Sequence, residues 1–131
     1  IGKRKGLPSD VNHTIKVIEK KTLKNKTITL NLALNYGSKE EIINVCKTLA
    51  KRNKKEINVK NFEKKLYTKN MPPPDILIRT GGTKRLSNFL LWQLAYSEIF
   101  FINKLWPDFS ERDYNKIVEK FYNIKRNFGK I

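Results

Sequence analysis

The chain has 131 residues, 39% of them hydrophobic, enough to bury a core in one domain. Its 28 Lys and Arg against 12 Asp and Glu give a net charge of +16. The lysines are scattered through stretches such as "KKTLKNK" and "KRNKKE" between apolar patterns, so the charge is expected to be solvated surface, and no nucleic-acid partner is expected. A single cysteine, Cys46, excludes an internal disulfide, and a single histidine, His13, excludes a His/Cys zinc site. No apolar run is long enough to span a bilayer, because Gln93, Ser97 and Glu98 break the stretch from Phe89 to Ile102. The sequence opens on Ile1-Gly2 without an initiator methionine and reads as a piece of a longer, soluble or membrane-peripheral protein. Its compartment, cytoplasmic or on the endoplasmic-reticulum face, stays open because a targeting segment would lie upstream.

In chain order, "LPSDVNHTIKVIEKKTL" (7–23) sets Pro8 and Ser9 at a helix start and Val11, Ile15 and Ile18 four and three apart, which predicts an amphipathic helix. The segment "NKTITLNLALNYG" (25–37) alternates strictly, with Ile28, Leu30, Leu32 and Leu34 on one face, and predicts a strand. Ser38-Lys39-Glu40-Glu41 reads as a capping box for the next helix, whose Ile42, Val45, Cys46 and Leu49 share an apolar face. Cys46 is therefore expected in the core, and His13 on the surface. From Arg52 to Asn70 the sequence is lysine-rich, and Ile57, Val59, Phe62 and Leu66 predict one short helix. Pro72-Pro73-Pro74 then stiffens the approach to "DILIR", a short run suited to an interior parallel strand. Ser87 or Asn88 is placed to cap a helix through Ala95, "EIFFI" predicts a second strand, and Trp106-Pro107 a turn. Ser110 caps a last helix whose Tyr114, Ile117, Val118 and Phe121 are expected to face the core. Strands alternating with helices imply an α/β fold, a mostly parallel sheet flanked by helices, over residues 1–131.

One stretch carries chemistry. In "PPPDILIRTGGTKRLSNFLLWQLAYSEIFF" Arg79 ends a strand, Gly81-Gly82 follows, and Arg85 and Ser87 stand at the expected start of a helix. In open α/β sheets ligands bind where strand ends meet loops and helix N-termini. Two guanidinium forks, a hydroxyl and free helix amides at one such point suit a diphosphate. The spacing is not that of a P-loop. An arginine ending a strand also commonly makes a structural salt bridge, here with Asp75 or Glu98, and local chemistry leaves that alternative open. Glu98 interrupts an apolar segment, where a carboxylate needs a cation, either an arginine or a metal such as Mg²⁺ brought by a diphosphate.

These residues also carry a family resemblance. "DILIRTGGTKRLSNFLLWQLAYSEIFF" with "LWPDF" resembles the signature of the cis-prenyltransferases, the undecaprenyl and dehydrodolichyl diphosphate synthases, and "LNLALNYGSKEEI" is similar to their upstream "LNIAxNYGGRxEI" block. The resemblance covers essentially the whole chain and implies the C-terminal half of that fold. It further implies a Mg²⁺-dependent enzyme, usually a homodimer, that condenses isopentenyl diphosphate with an allylic diphosphate to give a Z-polyprenyl product that associates with membrane. By motif match Arg79, Arg85 and Ser87 would hold isopentenyl diphosphate, and Glu98 would help place Mg²⁺. The family's "MDGNxRW" allylic site and "FSxENW" block are absent from this sequence, so the chain alone is expected to be inactive and to self-associate through an exposed sheet edge.

Three positions depart from the family pattern. Lys84 stands where many bacterial members have histidine, Ser38-Lys39 replaces Gly-Arg, and Asn127 replaces the arginine of the C-terminal "RxG" ending, with Arg126 as a possible substitute. Two other function classes compete: a non-catalytic partner subunit of a heteromeric prenyltransferase, and a basic nucleic-acid-binding α/β module. Retention of Arg79, Arg85, Ser87 and Glu98 together argues against the first. The second predicts steeply salt-dependent binding of any polyanion.

Overall fold

The computed structural model describes residues 1–51 and 56–127. They belong to two compact units, Ile1–Asn70 and Met71–Ile131.

In the first unit helix α1 (Ser9–Thr22) begins after Pro8, whose carbonyl accepts from Asn12 N–H at 3.0 Å. The proline ring presets the backbone for this entry and loses nothing by lacking an N–H there. Arg4 and Glu19 form an ion pair along the helix flank. No residue of α1 is buried, and Ile18 on its apolar face is exposed.

The strand expected over 25–37 does not form, and Ile28, Leu30 and Leu32 are exposed. Alternation decides which side chains share a face, but a strand exists only when a neighbour takes its amides and carbonyls. Here the first few residues of the chain pair with the end of the segment, at Leu32, Leu34 and Asn35. The Ile1 amine donates to Leu32 O at 2.7 Å, and Leu34 N–H donates back to Ile1 O at 3.0 Å. The spacing of this pair is that of a parallel ladder. Gly2 fits between them at a φ of 113° because a Cβ there would lie 2.1 Å from Leu34 O. Asn35 then turns the chain at a φ of 48°, its side-chain amide donating to Lys3 O and Lys5 O.

Helix α2 (Ser38–Leu49) is present, but the capping box is not. Gly37 holds the cap position with no side-chain hydrogen bond, and Ser38 is the first helical residue, fully buried. Glu41 points inward instead: its carboxylate accepts from Tyr36 Oη and from Tyr67 N–H, both at 2.6 Å, with 3% of the residue exposed. Two directed donors hold this carboxylate better than the water-facing amides of a helix end. Val45 and Leu49 lie one turn apart in the core, whereas Cys46, about 100° around the helix from Val45, is exposed. The core position expected for Cys46 is therefore wrong. Helix α3 (Val59–Glu63) is capped by Asn58, which accepts from Asn61 N–H at 3.0 Å. It contributes Phe62 to the core, joined by Leu66, while Ile57 and Val59 are exposed.

In the second unit β1 (Ile76–Arg79) and β2 (Glu98–Phe101) pair in parallel, Ile76 opposite Glu98 and Arg79 opposite Phe101. The helix expected from Ser87 or Asn88 to Ala95 is absent. Ser87, Asn88 and Leu90 adopt φ of 48°, 64° and 44°, left-handed values that no α-helix accommodates. The connection is a string of turns closed by Phe89 N–H to Leu86 O, Leu94 N–H to Leu90 O and Ser97 N–H to Leu94 O. It still buries Leu90, Gln93 and Leu94.

After β2 a 3₁₀ turn (Trp106–Asp108) leads to α4 (Glu111–Tyr122). Ser110 Oγ accepts from Asp113 N–H at 3.3 Å, and Asp113 accepts from Ser110 N–H at 2.9 Å, a complete capping box. Ile117 is buried, but Tyr114, expected in the core, is exposed. Among the described residues no helix is long and apolar enough to cross a membrane.

Lys104 Nζ lies 2.8 Å from Asp113. Its hydrogen bond, with those from the Ser110 hydroxyl and amide, holds the Asp113 carboxyl well below the usual carboxylate range. A depressed folded-state pKa stabilises the fold above the unfolded value, about 3.9, and that contribution fades as pH falls below it. Asp113→Asn should therefore lower the melting temperature of the intact protein at neutral pH, and the gap to the parent should narrow below about pH 4. A gap that stayed constant across a melting series from pH 7 to pH 3 would remove Asp113 from the balance.

Candidate functional site

The site grows from the end of β1. Arg79 is its last residue, and Arg79 O accepts from Ile102 N–H at 2.8 Å. Gly81 and Gly82 turn the chain at φ of 83° and 68°, values that glycine adopts without strain. Their amides donate to Lys104 O at 2.8 Å and Ile102 O at 3.0 Å. The glycine pair thus stitches the loop after β1 to the segment after β2. Both amides are thus engaged within the fold, and the groups left at this end of β1 are side chains.

Just beyond, Arg79 and Arg85 line one cleft of about 220 Å³ with Leu77, Ile78, Leu86 and Phe89. Arg79 Nε is buried and has no hydrogen-bond partner. A buried N–H on a cation without an acceptor is costly, so this atom is poised for an anionic oxygen. Arg85 and Lys84 are exposed beside it.

The other two expected site residues are placed differently. Ser87 is exposed, in a left-handed turn, and is not among the residues lining the cleft. Because no helix starts there, the helix-amide part of the expected anion site falls away. Glu98 opens β2, three residues before the partner of Arg79, which sets it about 10 Å back along the ladder. It is half-buried, and its N–H donates to Asp75 O at 2.9 Å.

The salt bridge considered for Arg79 is made by another residue. Asp75 pairs with Arg126 at 2.6 Å, and Arg126 also donates to Tyr96 O at 3.0 Å and lies 5.3 Å from the centre of the Phe121 ring. Arg126 thereby fastens the segment after α4 to the residues that enter both strands. Among the described residues neither Arg79 nor Glu98 has an ion pair. Asn127 is exposed, and the rest of the "RxG" ending lies outside the described residues. Sequence reasoning missed the apolar walls of the cleft: Leu86 and Phe89 fit an amphipathic helix pattern, and only the turns reveal their other placement.

A second hollow, about 470 Å³ and open, belongs to the first unit. It lies between α1, through Ile15 and Ile18, and the segment carrying Leu30, Leu32 and Leu34.

Comparison with known proteins gives a consistent answer. Residues 1–129 match the family model described as "Putative undecaprenyl diphosphate synthase". The isoprenyl transferase of Fusobacterium nucleatum is 42% identical over 130 residues, covering 99% of this chain and 56% of that protein. The farnesyl-diphosphate-specific ditrans,polycis-undecaprenyl-diphosphate synthase of Haemophilus influenzae is 46% identical over 121 residues, covering 88% and 51%. Among solved structures, lavandulyl diphosphate synthase from Lavandula x intermedia, in complex with dimethylallyl diphosphate, superposes with a TM-score of 0.94 at 34% identity, covering 99% of this chain and 58% of that one. A probable undecaprenyl diphosphate synthase from Campylobacter jejuni gives a TM-score of 0.86 at 39% identity, covering 99% and 61%. The chain thus spans little more than half the length of the relatives it matches.

Arg126→Ala should destabilise the intact protein by about 1 to 2 kcal/mol, because a forked contact to a carboxylate and a carbonyl is lost at once. Arg126→Lys should recover only part of it, since an ammonium cannot reproduce the fork. Denaturant unfolding of the two variants checks this, and wild-type stability in Arg126→Ala would show that the contacts do not hold the segment.

Proposed function

This chain belongs to the undecaprenyl diphosphate synthase family, and from that premise we propose that it is the C-terminal part of an enzyme condensing isopentenyl diphosphate with an allylic diphosphate primer such as farnesyl diphosphate. The product is a Z-polyprenyl diphosphate that associates with membrane. The observation that carries this is the cleft at the end of β1, where Arg79, with a buried unpartnered Nε, and Arg85 stand together. A diphosphate offers the oxygens that such a pair requires, and guanidinium forks match them in charge and shape. Ser87, two residues beyond Arg85, adds a hydroxyl for an outer phosphate oxygen once substrate is bound.

Glu98 is the proposed Mg²⁺ ligand. A half-buried carboxylate without an ion pair among the described residues suits a hard cation. No group of three or more His, Cys, Asp or Glu that could hold a metal occurs among the described residues. The remaining ligands would then be diphosphate oxygens, water and groups outside this chain, a mixture that Mg²⁺ favours. When bound, Mg²⁺ would neutralise charge on the diphosphate. A homodimer is the proposed assembly, supported by Ile99, Phe101 and Tyr114, which leave apolar surface exposed on β2 and α4. The 131 residues alone would lack the rest of the active site and would not elongate a primer.

In the full-length enzyme Arg79→Ala or Arg85→Ala should raise KM for isopentenyl diphosphate and lower kcat, a loss of roughly 1.5 to 3 kcal/mol in kcat/KM. Folded variants with wild-type kinetics would take these arginines out of the site. Glu98→Gln should move the Mg²⁺ dependence of turnover to higher concentration while leaving the melting temperature unchanged, because an amide is a weaker ligand for a hard cation. A collapse of stability with unaltered metal dependence would instead make Glu98 a structural residue.

A further inference from the structure

The end of α1 and the turn after it carry positive charge that the first unit leaves unanswered. From Lys20 to Leu30 the sequence reads "KKTLKNKTITL", four lysines and no acidic residue, and every residue of it is exposed. The carboxylate just before it, Glu19, is taken by Arg4. Among the described residues Lys20, Lys21, Lys24 and Lys26 have no ion pair. Lys20 and Lys21 lie in the last turn of α1, where a cation complements the helix dipole. Lys24 and Lys26 stand past the helix end, on a turn closed by Asn25 N–H to Thr22 O at 2.9 Å, and the dipole does not account for them.

Aliphatic side chains stand among these lysines. Leu23 is 76% and Ile28 83% exposed, and neither lines the hollow beside α1. Charge and hydrocarbon together narrow the partner. Lysine is depleted where one protein covers another. A nucleic acid would use the lysines but gain nothing from Leu23 and Ile28, and the stretch has no aromatic ring on which a base could stack. An anionic bilayer uses both, because its headgroups attract the lysines and its acyl boundary takes the aliphatic side chains.

We propose that the tip formed by Lys20, Lys21, Leu23, Lys24, Lys26 and Ile28 docks this protein on a membrane surface rich in anionic phospholipid. The lysines supply the attraction, and Leu23 and Ile28 enter the boundary between headgroups and acyl chains. The inference stands on the first unit alone and goes beyond the diphosphate reading of the second.

Cosedimentation of the full-length protein, without substrate, with vesicles of phosphatidylcholine alone or in equal parts with phosphatidylglycerol tests this. Wild type should bind the mixed vesicles, bind pure phosphatidylcholine far more weakly, and lose binding as salt rises. Lys20→Gln with Lys24→Gln should weaken binding to the mixed vesicles about 30-fold, about 5-fold for each charge removed from the surface. Leu23→Ser with Ile28→Ser should weaken it about 10-fold with the charge intact. All four side chains are exposed, so melting temperatures should match wild type and show both variants folded. Equal wild-type binding to the two vesicle types, or unchanged binding by the lysine variant, overturns the proposal. A loss in the lysine variant without one in the serine variant also overturns it, and tight binding of a single-stranded oligonucleotide would then make the tip a nucleic-acid surface. With no substrate present, none of these outcomes bears on Arg79 and Arg85.

Discussion

Everything near the candidate site hangs on one short piece of parallel ladder and the stitch that extends it. Four residues of β1 pair with four of β2, and beyond the strands Gly81 and Gly82 continue the contact to Ile102 and Lys104. Two strands alone are a weak sheet. The loop amides prolong the pairing past the point where strand geometry ends, and they fix the direction in which the chain leaves Arg79. The same segment after β2 carries Lys104 to Asp113 and so to the cap of α4. Strand end, glycine turn and helix start thus form one connected piece of backbone.

That economy explains how the site divides its labour. In many phosphate sites backbone amides at a helix start do the binding. Here the loop amides hold the fold together and no helix begins at Ser87, so the positive charge at the cleft is that of side chains. Arginine suits the task because its fork is rigid and always charged, and a buried Nε without a partner keeps Arg79 ready for an acceptor. Arg126 shows the other use of the same side chain. Its fork is filled by Asp75 and Tyr96 O from its own unit, and it serves architecture.

The first unit turns on a buried carboxylate. Glu41 ties Tyr36, just before α2, to Tyr67, after α3, and these two rings meet edge to face at 6.2 Å. Around it Val45, Leu49, Phe62 and Leu66 make a small core. The unit also leaves Leu30, Leu32 and Ile18 exposed.

Local pattern alone determined much of this protein. Pro8 and Ser110 announced helix starts that are there, "DILIR" and "EIFFI" hold the strands Ile76–Arg79 and Glu98–Phe101, and Arg79 and Arg85 on either side of Gly81-Gly82 line one cleft. Such features are set by one residue's geometry or by a run of side chains, so they survive whatever surrounds them. What failed depended on partners distant in sequence. The alternation of 25–37 needs neighbouring backbone along its length to become a strand, the segment from Ser87 to Ala95 carries three residues in left-handed backbone, and Glu41 accepts from the Tyr36 hydroxyl and the Tyr67 amide. The position of Glu98, at the far end of the ladder from Arg79, came from strand register, which a sequence does not print. Tertiary structure decided these because each is a competition for hydrogen bonds, and a competition is settled only when all the competitors are in place.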